Sequence, residues 1–209
     1  IIKKLDAIQK SLSLLKGGAL NFQTFDINEI LSLTSLALID VRTTMVKYGT
    51  LLITAASQIL GDNFANCADF VIPNLFKQTN SGKIFITGSC KYTIFSIVTN
   101  TQKARVFKSI LSEATSKSPA RRLIVIESLS IALLEWPKSI AMTIPDLKNN
   151  IVMFISDPSQ EVRDCARYTL SLYEGTPISQ VQLPDSPLFK KTAKPPSVVP
   201  RKQSPRKSN

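Results

Sequence analysis

Histidine is absent from this 209-residue chain, which removes the residue that serves most often as a general base or a metal ligand. Only three cysteines occur, Cys67, Cys90 and Cys165, and no two of them have the spacing of a metal site or of a disulfide framework. We therefore expect free thiols, a reducing compartment (cytosol or nucleus) and no cofactor.

Other absences narrow the function further. The lone loop glycine in Asn80-Ser81-Gly82-Lys83 lacks the spacing of a phosphate-binding loop. No apolar run approaches the length of a membrane span, and no secretory signal is visible. These features argue against an enzyme and against a membrane protein. Because the chain begins at Ile1 rather than at methionine, we expect a fragment of a longer protein.

Acidic residues are scarce: 15 Asp and Glu stand against 26 Lys and Arg, which gives a net charge of +11. A charge of +6 and seven of the twelve prolines fall in residues 176–209, which leaves about +5 on residues 1–175. Composition thus predicts a folded domain over 1–175 and a disordered, basic Ser/Pro-rich tail over 176–209. The charge implies an acidic partner.

What the sequence does contain is a period. Five basic residues recur at steps of 38, 41, 38 and 42 residues: Lys4, Arg42, Lys83, Arg121 and Arg163. Each of them begins a new apolar stretch. A recurrence near forty residues is typical of stacked helical pairs. In such a stack equivalent residues lie along one edge, so these cations would form a binding surface.

Apolar periodicity predicts helices throughout the first 175 residues. The expected helices are 2–16, 27–38, 42–60, 65–78, 83–99, 103–113, 119–135, 143–155 and 159–173. The β-branched segments 84–86 and 123–126 could be interpreted as strands, but the surrounding patterns are too long for strands. The predicted fold is all-α, an α-solenoid of helical pairs like HEAT repeats.

Antiparallel helices joined by short loops place alternate loops on opposite edges. The first set of loops, at 40–41, 80–82, 116–118 and 156–158, shares an edge with the periodic cations. A cation is unfavourable at a helix N-terminus, so we expect compensating caps at Asp157 and at Ser118 before Pro119. Arg163 could instead pair with Asp157 between repeats.

Four segments resemble the TOG domains of CLASP-type microtubule regulators. The segment 38–43 (LIDVRT) resembles the loop of the second repeat, and 116–122 (SKSPARR) resembles that of the fourth. Residues 134–136 (LEW) and 155–163 (ISDPSQEVR) are similar to the closing repeats. The resemblance covers about residues 1–175 and rests on the order and spacing of these segments.

In that family the array is a flat paddle whose loops within the helical pairs grip the tubulin heterodimer. The resemblance implies a tubulin- or microtubule-contacting role for Lys4, Arg42, Thr43, Lys83, Lys117, Arg121 and Arg163. It also implies regulation of microtubule dynamics, including the spindle, and a cytoplasmic, cytoskeletal location. An acidic partner such as tubulin is the expected complement of a basic edge.

Two features depart from the family pattern. The first loop of the family usually carries a tryptophan three residues before a basic residue, and in that register Ile1 precedes Lys4. Either the fragment begins inside that loop or the aromatic residue is absent, and its absence would weaken binding of free tubulin. We also expect the array to end after the fifth repeat, where six are usual.

The tail holds two short motifs. Ser197-Val198-Val199-Pro200 resembles the Ser-x-Ile-Pro motif that docks on end-binding proteins, with valine in place of isoleucine. Ser204 precedes Pro205 in a basic context that fits a proline-directed kinase site. The tail could be a plain linker, but we expect it to hold an acidic microtubule lattice by diffuse attraction.

Two other functions stay open on the sequence. The first is a HEAT-type scaffold that binds an acidic protein unrelated to tubulin. The second is nucleic-acid binding, which we rank lower because about +5 on the folded part is modest and no stacking aromatics accompany the cations.

Overall fold

The structure is a computed structural model that describes residues 2–18, 26–40, 42–136 and 140–175. Helices occupy most of this part of the chain, and none of its residues lies in a strand. The helices are α1 Ile2–Lys16, α2 Ile27–Ala37, α3 Thr43–Leu60, α4 Ala68–Gln78, α5 Ile84–Asn100, α6 Ala104–Leu111, α7 Pro119–Glu135, α8 Ile140–Thr143, α9 Leu147–Val152 and α10 Gln160–Glu174, with a 3-10 helix Gly61–Cys67 before α4.

The helices form two layers. In the first layer α1, α3, α5, α7 and α10 pack side by side in chain order. In the second layer α2 packs against α4, and α4 against α6. The layers meet where α2 packs on α3, α4 on α5 and α9 on α10. This confirms the predicted all-α solenoid of helical pairs, with the β-branched segments 84–86 and 123–126 inside α5 and α7.

Polar side chains repeat the period of the array in space. The hydroxyl groups of Thr54 and Thr93 lie 3.1 Å apart between α3 and α5. Those of Ser130 and Thr169 lie 2.6 Å apart between α7 and α10. Both pairs are separated by 39 residues, so in each pair two successive repeats place a small polar residue at equivalent positions. Hydroxyl pairing satisfies groups that would be costly to bury alone.

Loop contacts confirm that alternate loops share an edge. On one edge the Ser118 hydroxyl lies 2.8 Å from the Asn80 side-chain oxygen, 38 residues away. On the opposite edge the Thr101 hydroxyl donates to the Gly61 carbonyl at 3.0 Å. Since antiparallel helices alternate in direction, the first-layer helices all begin at the first edge.

One apolar core runs along the array between the layers. Its largest fully buried side chains include Trp136, Phe64, Phe76, Phe107 and Phe154. The Trp136 indole N–H donates to the Val98 carbonyl at 3.0 Å, and its ring meets Phe107 edge to face. The single tryptophan is therefore a packing residue that joins neighbouring repeats.

The predicted helix 143–155 was wrong. The chain instead forms α8 over Ile140–Thr143 and α9 over Leu147–Val152. Between them Asp146 has a φ of 50°, in the left-handed region that interrupts a right-handed helix. Pro145 precedes it, and proline disfavours helical backbone in the residue before it. Elsewhere the predicted helix ends agree with the structure to within three residues.

No helix in the described ranges is both long enough and apolar enough to span a membrane. The predicted disordered tail, its Ser197–Pro200 motif and the Ser204 site lie outside the described residues.

Candidate functional site

The candidate site is the edge at which the first-layer helices begin, which we call the loop edge. It comprises the first turn of α1 and the segments 38–40, 42–43, 79–83, 112–118 and 153–159. The backbone N–H groups at the starts of α3, α5, α7 and α10 have no side-chain cap. Uncapped helix N-termini carry partial positive charge, which adds to the charge of the neighbouring cations.

All five periodic cations lie at this edge, between the N-cap and the fourth residue of a first-layer helix. Lys4 is the third residue of α1, and Arg42 and Lys83 are the N-cap residues of α3 and α5. Arg121 is the third residue of α7, and Arg163 is the fourth of α10. The period seen in the sequence therefore corresponds to a row of basic side chains in space.

Arg42 is exposed and held in place by its own loop. Its Nε donates to Asp40 Oδ1 at 2.8 Å, and a terminal nitrogen donates to Oδ2 at 2.6 Å. The Arg42 hydrogen bonds, helped by the charge of Lys4, lower the pKa of Asp40 to about 2. The Arg42 side chain is 43% exposed, and the next residue, Thr43, is also exposed. The two hydrogen bonds fix the guanidinium and engage one of its edges, so that the other terminal nitrogen faces away from Asp40.

Lys83 and Lys117 are exposed side chains of two neighbouring loops. Within the described ranges Lys117 makes no hydrogen bond or ion pair. Its ammonium group is therefore available to an acidic partner without first breaking an internal contact.

Arg121 and Arg163 are engaged within the array. Arg121 pairs with Glu113 at 3.1 Å, and both side chains are 20% exposed. Arg163 donates to the backbone carbonyls of Asp157 and Pro158 at 2.6 and 2.9 Å. Arg163 therefore holds the 153–159 loop through backbone carbonyls, and not through the Asp157 carboxylate, the alternative that the sequence left open.

Arg122 is a residue that the sequence argument missed. Its Nε and a terminal nitrogen donate to the two carboxylate oxygens of Asp157 at 2.6 and 2.9 Å. A third hydrogen bond reaches the Ser116 carbonyl at 2.7 Å. Arg122 thus ties the 112–118 loop to the 153–159 loop. The available signal was the 35-residue separation from Asp157, which is close to the repeat period.

Neither of the two predicted cap residues, Ser118 and Asp157, caps the first turn of a helix with its side chain. Ser118 occupies the N-cap position of α7 with Pro119 next, as expected, but its hydroxyl lies against Asn80 instead of capping the helix. The N-cap of α10 is Ser159, and Asp157 accepts from the Ser159 N–H in the loop before it. Both side chains are used between repeats because neighbouring loops lie close together along the edge.

The loop edge combines exposed cations with loops that are fixed by internal ion pairs. Among the described residues no group of His, Cys, Asp and Glu could hold a metal ion. A basic surface of this kind is complementary in charge to acidic macromolecules.

The stack of helical pairs, with its loops along one edge, is the architecture of a TOG domain. The structure is similar to a solved TOG domain from work on TOG–tubulin binding specificity, microtubule dynamics and mitotic spindle formation. The TM-score is 0.61 at 17% identity, over 83% of this chain and 75% of that one. The family model described as CLASP N terminal matches residues 2–182, and the chain belongs to this family.

Curated relatives agree with this assignment. CLIP-associating protein 1-B of Xenopus laevis is 31% identical over 169 residues, which cover 79% of this chain. CLIP-associated protein of Arabidopsis thaliana is 26% identical over 184 residues, or 83% of this chain. In both comparisons the chain spans 12% of the length of the relative.

Proposed function

We propose that this domain binds α/β-tubulin or the microtubule lattice through the loop edge and thereby regulates microtubule dynamics. The observation that carries the proposal is the row of periodic cations at the starts of the first-layer helices. Membership of the CLASP N-terminal family and the likeness to a TOG domain support the choice of partner. A cytoskeletal location, including the spindle, belongs to the same proposal.

The contacting residues in this proposal have unequal roles. Lys4, Arg42, Thr43, Lys83 and Lys117 are exposed at the edge and would meet the partner directly.

Arg121 is held by Glu113 and would act mainly by fixing the 112–118 loop, which carries Lys117. Arg163 is held by loop carbonyls and would act mainly by fixing the 153–159 loop. Arg122 would be a further positioning residue, through Asp157.

The test compares matched arginines on opposite edges. Arg105 forms an exposed ion pair with Asp69 at 2.7 Å, much like the pair of Arg42 with Asp40, but Arg105 lies near the start of α6, at the other edge. In microtubule pelleting and in gel filtration with tubulin, Arg42→Ala should weaken binding about threefold to tenfold, with a reduced salt dependence. Arg105→Ala should bind like the wild type.

A second matched pair uses lysines. Lys117→Ala should weaken binding, whereas Lys103→Ala, at the opposite edge beside Asp62, should not. Normal binding by both Arg42→Ala and Lys117→Ala would contradict the assignment of the loop edge. Stronger retention of duplex DNA than of tubulin across a salt series would instead favour nucleic-acid binding.

We also propose that the basic tail, 176–209, adds diffuse attraction to an acidic lattice, and that Ser197–Pro200 docks on end-binding proteins. Removing 176–209 should weaken lattice pelleting more than binding of free tubulin, because diffuse attraction gains from a dense array of charge. Phosphate on Ser204 would subtract up to about two charges. Equal pelleting of phosphorylated and unmodified chains at physiological salt would contradict this part.

A further inference from the structure

An apolar groove lies on the outer face of the first layer, between α3 and α5. Its volume is about 480 Å³, and its lining includes Lys47, Leu51, Ile84, Phe85, Gly88 and Tyr92. We call it the α3/α5 groove.

The apolar side chains of this groove are unusually open to solvent. Ile84 is 91% exposed, Tyr92 63%, Phe85 53% and Leu51 39%. Single exposed apolar residues are common on protein surfaces, but a contiguous set beside a pocket is typical of an interaction site.

The groove is continuous with the loop edge. Ile84 directly follows Lys83, the N-cap residue of α5. Lys47 lies one helical turn after Thr43 on α3. From Ile84 to Thr93 the groove extends about 13 Å down the helix at the usual rise per residue. A partner seated on Thr43 and Lys83 would therefore reach the mouth of the groove.

The charge around the groove fits an acidic partner. Among the residues that line it, Lys47 is charged and no carboxylate occurs. Lys83 adds a second cation at the mouth. Carboxylates of a bound molecule would therefore meet ammonium groups while its apolar side chain meets Ile84 and Phe85.

Gly88 supplies an independent observation. It lies within α5, where glycine is less favourable than alanine. A Cβ atom built on Gly88 would meet nothing within 4 Å, and its backbone does not lie in the left-handed region. Neither packing nor conformation requires glycine here. Because Gly88 lines the groove, its missing side chain leaves that part of the groove unfilled.

We propose that the α3/α5 groove receives an apolar side chain, flanked by carboxylates, of the same acidic partner that the loop edge binds. This inference rests on the proposed function, since it assigns to that interface an apolar centre beside the basic row. Interfaces commonly depend on a few such buried anchors within a polar rim.

The decisive variant fills the groove. Gly88→Leu should weaken binding of tubulin or of microtubules about tenfold, while the thermal midpoint stays equal or rises because a helix-interior glycine has been replaced. Gly88→Ala is the matched control and should bind nearly as the wild type does, since a single methyl group leaves most of the groove open.

A second variant keeps the test valid if Gly88→Leu disturbs the fold. Ile84→Ser should lower affinity about fivefold or more, whereas Ile59→Ser should have no effect. Ile59 is also exposed, at 46%, but it lies near the end of α3, at the opposite edge.

The outcomes separate this inference from the proposed function. Normal binding by folded Gly88→Leu and Ile84→Ser, together with weakened binding by Lys117→Ala, would overturn the groove and leave the loop edge standing. No binding of tubulin or microtubules by the wild-type chain would overturn both. If sedimentation shows that Gly88→Leu abolishes self-association and leaves partner binding intact, the occupant is a second copy and the proposal is wrong.

Discussion

The guanidinium of Arg122 and the carboxylate of Asp157 form a two-point ion pair that joins two successive repeats at the loop edge, with donor–acceptor distances of 2.6 and 2.9 Å. Both side chains are largely buried, at 13% and 5% exposed. The pair fixes the spacing of the 112–118 and 153–159 loops, and it therefore holds in place the loop that carries the exposed Lys117.

Arg122→Ala should therefore destabilise the domain. Removing the arginine leaves a mostly buried carboxylate without its partner, and we expect a loss of about 2–4 kcal/mol in the free energy of unfolding. Urea denaturation at neutral pH measures it. Arg167→Ala is the control, because its pair with Asp164 is exposed, at 56% and 42%, and should contribute no more than about 0.5 kcal/mol. Equal stability of the two variants would contradict the structural role of Arg122.

The same pair predicts a dependence on pH. The Arg122 hydrogen bond lowers the pKa of Asp157 below its ordinary value of 3.8. A lowered pKa in the folded state contributes stability above the unfolded value and loses it as pH falls through the folded value. The wild type should thus exceed Asp157→Asn in free energy of unfolding by the largest amount near pH 6. This difference should decrease below about pH 4. Denaturation at several pH values measures the difference, and a difference that increased with acid would contradict the assignment.

A second ion pair, inside the first layer, should respond differently to single and double substitution. Lys91 Nζ lies 2.7 Å from a carboxylate oxygen of Glu127, whose side chain is fully buried. Lys91→Met should cost about 3 kcal/mol or more, because it leaves a charge in the interior.

The double variant Lys91→Met/Glu127→Met should recover most of that loss, since apolar side chains of similar size replace both charges. Thermal or urea denaturation of Lys91→Met, Glu127→Met and the double variant measures the coupling energy between the two residues. Additive losses would show that the two residues act independently.

The three cysteines should resist modification while the domain is folded. All are free and buried, and burial raises the pKa of Cys67 to about 11 and those of Cys90 and Cys165 to about 12. The reactive thiolate is therefore scarce at neutral pH. Mass spectrometry after maleimide treatment should show an unmodified native chain and three labels after unfolding. Rapid labelling of the native chain would contradict the packing around these residues.

Much of the fold could be predicted from the sequence because the repeat period and the helical period are both local signals. The cations at Arg42 and Lys83 proved to be N-cap residues of successive first-layer helices, as equal spacing in a stack requires. The prediction failed around Pro145 and Asp146, where a left-handed residue divides one expected helix into two. Apolar periodicity continues across such a break and does not reveal it.

The candidate site was predicted only in part. Sequence spacing identified the row of cations, but it could not separate exposed Lys117 from Arg121, which pairs with Glu113. Nor could it show that Asp157 pairs with Arg122 instead of capping a helix. These distinctions depend on which loops become neighbours, and that depends on packing between repeats.

By itself, then, the sequence determined the helical-repeat fold and the edge that carries the periodic cations, since both follow from periodicity along the chain. Only the tertiary structure decided which cations face solvent and which hold loops together. It alone also showed that Ile84, Phe85 and Gly88 line an apolar groove beside these cations. The physical reason is that burial and ion pairing are set by residues nearly forty positions apart, which become neighbours only when the repeats stack.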